Sequence, residues 1–132
     1  MAYGNGVYVL TRGRNPGSDQ VMVSSDLITW NIHSVGLGST LWNDITFDNG
    51  LFVMTANDVS GTKVASSFDG IVWTAITIVG DAFGKVWKGI TGNGSGLYAM
   101  VNENGDAAYA IVDSGINVPL MRRRRALNSS GV

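Results

Sequence analysis

Apolar and polar residues alternate over short segments of this chain, and turn-forming residues separate the segments. In the middle of the chain the alternation predicts strands over residues 44–48, 51–56, 62–67 and 71–78. Asn49 and Gly50 connect the first two, and a two-residue hairpin turn with positive φ at both positions favours these residue types. The pattern therefore predicts a four-stranded antiparallel meander.

The same pattern recurs along the chain. A glycine closes a hairpin turn at residues 6, 50 and 96, which gives spacings of 44 and 46 residues. An aspartate followed by tryptophan four positions later occurs at Asp26 and Asp69, and the third copy, at Asp113, lacks the tryptophan. Trp42 and Trp87 are each followed by isoleucine three positions later. These markers predict an all-β chain of three four-stranded antiparallel meanders with a period of roughly 45 residues. The predicted boundaries are 1–38, 39–83 and 84–118, followed by a C-terminal tail at 119–132.

The two segments 24–30 and 67–73 resemble the Asp box, the Ser-x-Asp-Gly-x-Thr-Trp turn of sialidase-like β-propellers. The resemblance spans residues 3–118 and implies structural roles: the aspartate caps backbone N–H groups and the tryptophan packs between adjacent blades. Leu27 stands where the family usually has glycine. The residues that carry the resemblance are Ser24, Asp26, Trp30, Ser67, Asp69, Gly70 and Trp73, and Trp42 and Trp87 are predicted to pack between blades as well.

A hairpin of the Gly-Asn-Gly-aromatic type followed by an Asp box also resembles repeats in structural proteins of tailed bacteriophages. This resemblance implies a non-enzymatic virion structural protein, either a capsid decoration (cement) protein or a tail or baseplate component, that acts through protein–protein assembly. Residues 1–6 run directly into a turn and do not have the pattern of a signal peptide. We therefore expect synthesis in the host cytoplasm and residence in the virion.

The number of repeats bears on assembly. Propellers usually contain four to eight blades, so three repeats predict a partial β-propeller. Its first blade is expected to be incomplete, because no counterpart of the strand that begins at Trp42 precedes Tyr3. Exposed sheet edges and an unclosed inner face would then favour obligate association with copies of itself or with other virion proteins.

The body of the chain and its C-terminal end differ in the sign of their net charge. Residues 1–118 have a net charge of −5 and residues 119–132 a net charge of +4. The basic segment is predicted to be a docking arm for an acidic partner surface, with a disordered solubilising end as the alternative. Nucleic acid is a less favoured partner because the body is acidic. The residues of the predicted arm are Leu120, Met121, Arg122, Arg123, Arg124, Arg125 and Leu127.

The residues do not predict a catalytic centre, a metal site or a cofactor. A sialidase needs three separated arginines around a carboxylate, whereas Arg12 and Arg14 share one loop and Glu103 is the single glutamate. His33 is the single histidine, and the chain contains no cysteine. The aspartates are scattered singly in turns, without the close spacing of a calcium loop. No segment approaches the ~20 apolar residues of a membrane span.

One alternative function remains at this stage, a carbohydrate-binding, lectin-like propeller used in receptor attachment. Exposed Trp42 and Trp87 would then stack on surface glycans. Their recurrence at equivalent repeat positions favours packing between blades instead.

Overall fold

The computed structural model describes residues 1–12, 19–38, 41–56, 64–76, 78–79, 87–102, 106–111 and 120–125. These residues form thirteen β-strands and no helix. The first sheet contains β1 (Ala2–Gly4), β2 (Val7–Thr11), β3 (Gln20–Ser24) and β4 (Asn31–Ser34). The second sheet contains β5 (Trp42–Asp48), β6 (Leu51–Ala56), β7 (Val64–Ser67) and β8 (Thr74–Ala75).

The third sheet has five strands. It consists of β9 (Ile78–Val79), β10 (Gly89–Gly92), β11 (Leu97–Val101), β12 (Asp106–Ile111) and β13 (Leu120–Arg125), in the order β10-β11-β12-β13-β9. Strands β10 to β13 are antiparallel, and β9 lies parallel to β13. The prediction of three four-stranded antiparallel meanders is confirmed, with β9 as an addition to the third.

The first two hairpins have the predicted turn. Asn5 and Gly6 have φ values of 49° and 82°, and Asn49 and Gly50 have 48° and 82°. Positive φ at both central positions matches the right-handed twist of the flanking strands. The innermost strand of the first sheet, β1, has three residues, whereas β5 has seven.

The strand predicted at residues 71–78 is wrong. Ile71 and Val72 belong to a turn, where their N–H groups are bonded to the Asp69 carboxylate. The fourth strand of the second sheet covers only Thr74–Ala75, and Ile78 pairs with Met121 of the third sheet. Alternating apolar residues predicted one continuous strand, but they do not reveal that the segment passes from one sheet to the next.

The structure also differs from the predicted separation of a body at 1–118 from a basic tail at 119–132. Residues Leu120–Arg125 form β13, which pairs with β12 over six successive positions. Met121 and Arg122 also pair with β9 on the other side. The run of arginines suggested a solvated end, but a strand is held by backbone hydrogen bonds, which every residue type except proline can both donate and accept. The docking role predicted for the side chains of residues 120–125 stays a prediction, and Leu127 lies outside the described part of the chain.

The three sheets stack through two apolar clusters. Alternate residues of β6 point to opposite faces, so that Phe52 and Met54 pack toward the first sheet, and Leu51 and Val53 toward the third. The cluster between the first and second sheets contains Val9, Val21, Val23, Val35, Trp42, Ile45, Phe52, Met54, Ala56, Ala65 and Trp73. The cluster between the second and third contains Leu51, Val53, Val64, Ile76, Trp87, Ile90, Tyr98 and Met100.

Candidate functional site

The turn between β7 and β8 is closed by its own side chains. One oxygen of Asp69, Oδ1, accepts the N–H groups of Ile71 at 2.8 Å and Val72 at 2.9 Å, and the Ser67 hydroxyl at 3.0 Å. The Gly70 N–H donates to Ser67 Oγ at 2.8 Å. Burial raises the pKa of Asp69, but these hydrogen bonds outweigh it and hold that pKa below its ordinary value. The Asp69 carboxylate is therefore ionised and hydrogen-bonded within its own turn.

The turn between β3 and β4 repeats this geometry. Asp26 Oδ1 accepts the N–H groups of Thr29 and Ile28, each at 2.8 Å, and the Ser24 hydroxyl at 3.0 Å. The backbone bonds from Thr29 and Ile28, and then the bond from Ser24, lower the pKa of Asp26. Both turns thus hold an ionised carboxylate in a structural position.

The two turn tryptophans differ in burial. The indole N–H of Trp73 donates to the Gly70 carbonyl at 3.1 Å, and that of Trp30 to the Leu27 carbonyl at 3.3 Å. Trp73 is buried in the cluster between the first and second sheets. Trp30 is half-buried, and it does not belong to either cluster of the described residues.

The residue after each turn aspartate also differs. Gly70 has a φ of 77° and is buried against the first sheet, where a Cβ would lie 2.5 Å from Val9 Cγ2. Leu27 occupies the equivalent position with a φ of 64°, and 47% of its surface is exposed. The close contact between sheets thus requires glycine in the second turn, whereas the first turn carries a leucine that faces solvent.

Trp42 and Trp87 are both fully buried between sheets. Trp42 lies in the cluster of the first and second sheets, and its indole N–H donates to Asp19 Oδ1 at 3.0 Å. The other oxygen of Asp19 accepts the N–H groups of Leu37 at 2.7 Å and Gly38 at 2.9 Å. Sequence reasoning missed this role of Asp19, because an aspartate does not recur at the corresponding place in the next repeat, residues 62–63.

Polar bonds join the second sheet to the third. Asp44 Oδ2 accepts the Ile90 N–H at 2.9 Å, and Asp48 Oδ2 accepts the Gly96 N–H at 3.3 Å. The buried Tyr98 hydroxyl lies within hydrogen-bond distance of the carbonyl oxygens of Asp48 and Leu51. Burial, and then the negative charge of Asp48, raise the pKa of Tyr98. These contacts were not predicted, since Asp44 is replaced by glycine in the third repeat.

The outer surface of the first sheet carries a group of apolar side chains. We call it the leading face, and its side chains point away from the second sheet. Tyr3 and Ile32 are 57% and 52% exposed. The rings of Tyr3 and Tyr8 are 4.5 Å apart, which repeats the Phe47–Phe52 pair at 4.7 Å in the second sheet. The leading face comprises Tyr3, Tyr8, Leu10, Met22 and Ile32.

The outer surface of the third sheet also carries exposed apolar side chains, on β11. We call it the trailing face, and it comprises Leu97, Ala99 and Val101, which point away from the second sheet. Leu97 and Val101 are 39% and 53% exposed. The intervening residues, Tyr98 and Met100, are buried against the second sheet. The stack thus presents exposed apolar residues at each end.

The described residues do not contain a group of three or more His, Asp or Glu side chains that could hold a metal ion. His33 lies half-buried in β4, opposite Val21. Arg12 donates to the Gln20 side chain at 2.9 Å, and Arg14 and Glu103 lie outside the described residues. This part of the chain also has no helix with the length and apolar character that a membrane crossing requires.

Comparison with known proteins bears on the fold. Neither a protein-family model nor a curated protein matches the chain. Among solved structures, the chain is similar to YCF48, a β-propeller protein, in a structure with a bound D1 peptide. The TM-score is 0.59 at 15% sequence identity, and the match covers 91% of this chain and 43% of that one, so the chain spans less than half of the YCF48 structure. The fold of this chain is therefore that of a partial β-propeller, in which each sheet corresponds to one blade.

Proposed function

We propose that the protein is a non-enzymatic structural component that works by protein–protein assembly through its leading and trailing faces. The setting we propose is the virion of a tailed bacteriophage, as a capsid decoration protein or a tail or baseplate component. The observation that carries the assembly role is the presence of two exposed apolar faces at the ends of the stack. The virion setting is supported by the resemblance of the hairpin and the Asp-box turn to phage structural repeats.

The two faces repeat surfaces that are already buried inside the chain. Tyr3 and Tyr8 stand at the positions of Phe47 and Phe52, which pack toward the first sheet. Leu97 stands at the position of Leu51, which packs toward the third sheet. Burial of such apolar area contributes roughly 25 cal/mol per Å². Each face is thus chemically suited to join another protein in the way that the sheets join one another.

The carboxylates support a structural role. Asp26 and Asp69 close turns, Asp19 holds Trp42, and Asp44 and Asp48 accept N–H groups of the third sheet. A catalytic acid or base needs a carboxyl group directed at a substrate, whereas each of these five is already bonded within the fold.

The glycan-binding alternative depended on exposed tryptophans. Trp42 and Trp87 are fully buried, so they do not offer a stacking surface to a sugar. Binding of the free protein to a glycan array, abolished by replacing the exposed Tyr3, would favour the alternative over assembly.

The proposed function is tested by association in solution and by location. We expect Tyr3→Asp to weaken self-association or attachment to particles, because a charge on the leading face must be desolvated in any interface. Phe68→Asp is the matched control, since Phe68 is an exposed aromatic residue (70%) in the turn after β7 and lies outside both faces. Many copies detected by mass spectrometry in purified virions would support the setting. Equal association of both variants, or absence from virions, would contradict the proposal.

A further inference from the structure

Leu27 occupies a backbone conformation that leucine rarely adopts. Its φ of 64° brings Cβ close to the backbone carbonyl, which is why such positions usually carry glycine. The equivalent residue in the second turn is Gly70, and in the third repeat the residue after Asp113 is Ser114, which lies outside the described residues. Leu27 is also 47% exposed, so burial within this chain does not explain it. An unfavourable residue at an exposed turn points to a role in binding.

The second turn shows what this position contacts. Gly70 packs on Val9 of the preceding sheet, and a Cβ there would lie 2.5 Å from Val9 Cγ2 but 3.8 Å from Val9 Cβ. A larger residue is therefore excluded by one methyl group of the residue opposite. Without that methyl group, the nearest distance would be an ordinary van der Waals contact.

The trailing face lacks that methyl group. Val9, Val53 and Ala99 are each the third residue after the glycine that closes their hairpin, so they are equivalent. Val9 and Val53 point toward the sheet that follows their own, and Ala99 points to the exposed outer side of the third sheet. A third sheet that packed on a first sheet in the internal geometry would thus set Ala99 opposite Leu27. Inside the chain, a small residue in the turn (Gly70) faces a larger one on the strand (Val9). In the proposed contact a large residue in the turn (Leu27) would face a small one on the strand (Ala99).

We infer that the leading face binds the trailing face of a second copy of this chain, with Leu27 packed on Ala99 of that copy. Tyr3 and Tyr8 would take the place that Phe47 and Phe52 have inside the chain. Two copies joined twice in this way form a closed ring of six sheets, which is within the usual range for propellers. The leucine also rejects a sheet that carries valine at this point, so it selects the third sheet over the first two. This inference rests on the proposed assembly function and names its partner.

A size-exchange experiment on the chain of residues 1–132 tests the inference. Ala99→Val restores the methyl group that clashes, and we expect the dissociation constant of the dimer to rise about tenfold or more. Leu27→Gly combined with Ala99→Val recreates the internal pair, and we expect it to restore association to near the wild-type value. Leu27→Gly alone removes backbone strain, so this variant should fold at least as well as the wild type and associate more weakly.

Sedimentation velocity over a range of concentrations gives the masses and the dissociation constants, and thermal unfolding shows that each variant is folded. A wild-type protein that stays a single chain at all concentrations overturns self-assembly and the inference with it. A wild-type dimer that Ala99→Val leaves unchanged, or that the double substitution does not rescue, overturns the Leu27–Ala99 contact but leaves assembly as the function.

Discussion

Replacing Gly70 by alanine places a methyl group in the contact between the first and second sheets. An ideal Cβ at this position lies 2.5 Å from Val9 Cγ2 and 3.9 Å from Phe52 Cε2. Gly50 provides a matched control, because its φ of 82° is close to the 77° of Gly70 and a Cβ there would have no neighbour within 4 Å. Both substitutions carry the free-energy cost of alanine at positive φ, but only Gly70→Ala adds the cost of a steric clash with Val9.

The expected magnitudes follow from these distances. Alanine at positive φ costs about 1 kcal/mol, which applies to both positions. Overpacking against Val9 adds roughly 1–3 kcal/mol at Gly70 alone. We therefore expect Gly50→Ala to lower the free energy of unfolding by about 1 kcal/mol and Gly70→Ala by about 2–4 kcal/mol. Combining Gly70→Ala with Val9→Ala removes the clashing methyl group, so the two should couple favourably by about 1–3 kcal/mol.

Urea unfolding at one fixed protein concentration measures these differences, since association makes apparent stability depend on concentration. Equal losses at Gly50 and Gly70 would refute the close contact between the sheets. Strict additivity of Gly70→Ala and Val9→Ala would refute the assignment of Val9 as its partner.

Five further variants have expected outcomes. Tyr98→Phe should lower the free energy of unfolding by about 1–2 kcal/mol, because the buried carbonyl groups next to the Tyr98 hydroxyl lose their hydrogen-bond donor. The pKa of Tyr98 is raised on folding, so the stability of the wild-type protein should fall as pH rises above the pKa of an unfolded tyrosine. Asp69→Ala should cost about 1 kcal/mol, as for other side-chain caps, in thermal unfolding at neutral pH. Because the pKa values of Asp69 and Asp26 are lowered, their contribution is complete above the unfolded pKa and is lost as pH falls through the folded values; Asp69→Asn should show a smaller loss between neutral and acid pH. Asp19→Ala should shift the tryptophan fluorescence by freeing the Trp42 indole, and an unchanged spectrum would argue against that bond. Deleting residues 120–125 should lower the melting temperature by exposing the edge of β12, whereas a free tail would leave it unchanged.

The repeats and their turns could be predicted from the sequence because they depend on local chemistry. Asn5 and Asn49 accept positive φ, and Ser67 and Asp69 accept hydrogen bonds from backbone N–H groups within five residues. These features need only the residues on either side of them. The fold class and the three meanders follow from their recurrence.

The interactions between sheets could not be predicted in this way. The passage of Ile78 into the third sheet and the pairing of Leu120–Arg125 with β12 depend on partners that are distant in the sequence. Asp19 and Asp44 make contacts that the neighbouring repeat does not share, so the repeat does not mark them. The sequence shows that Leu27 replaces the glycine of the motif. What Leu27 could contact follows only from the contact of Gly70 with Val9 in the structure.

Native mass spectrometry of the chain of residues 1–132 tests the self-assembly account most directly. The leading and trailing faces are predicted to join two chains into one closed ring, so the main species should have twice the mass of the chain. Ala99→Val should increase the fraction of single chains at the same protein concentration. A wild-type protein that is a stable single chain at every concentration would contradict the account.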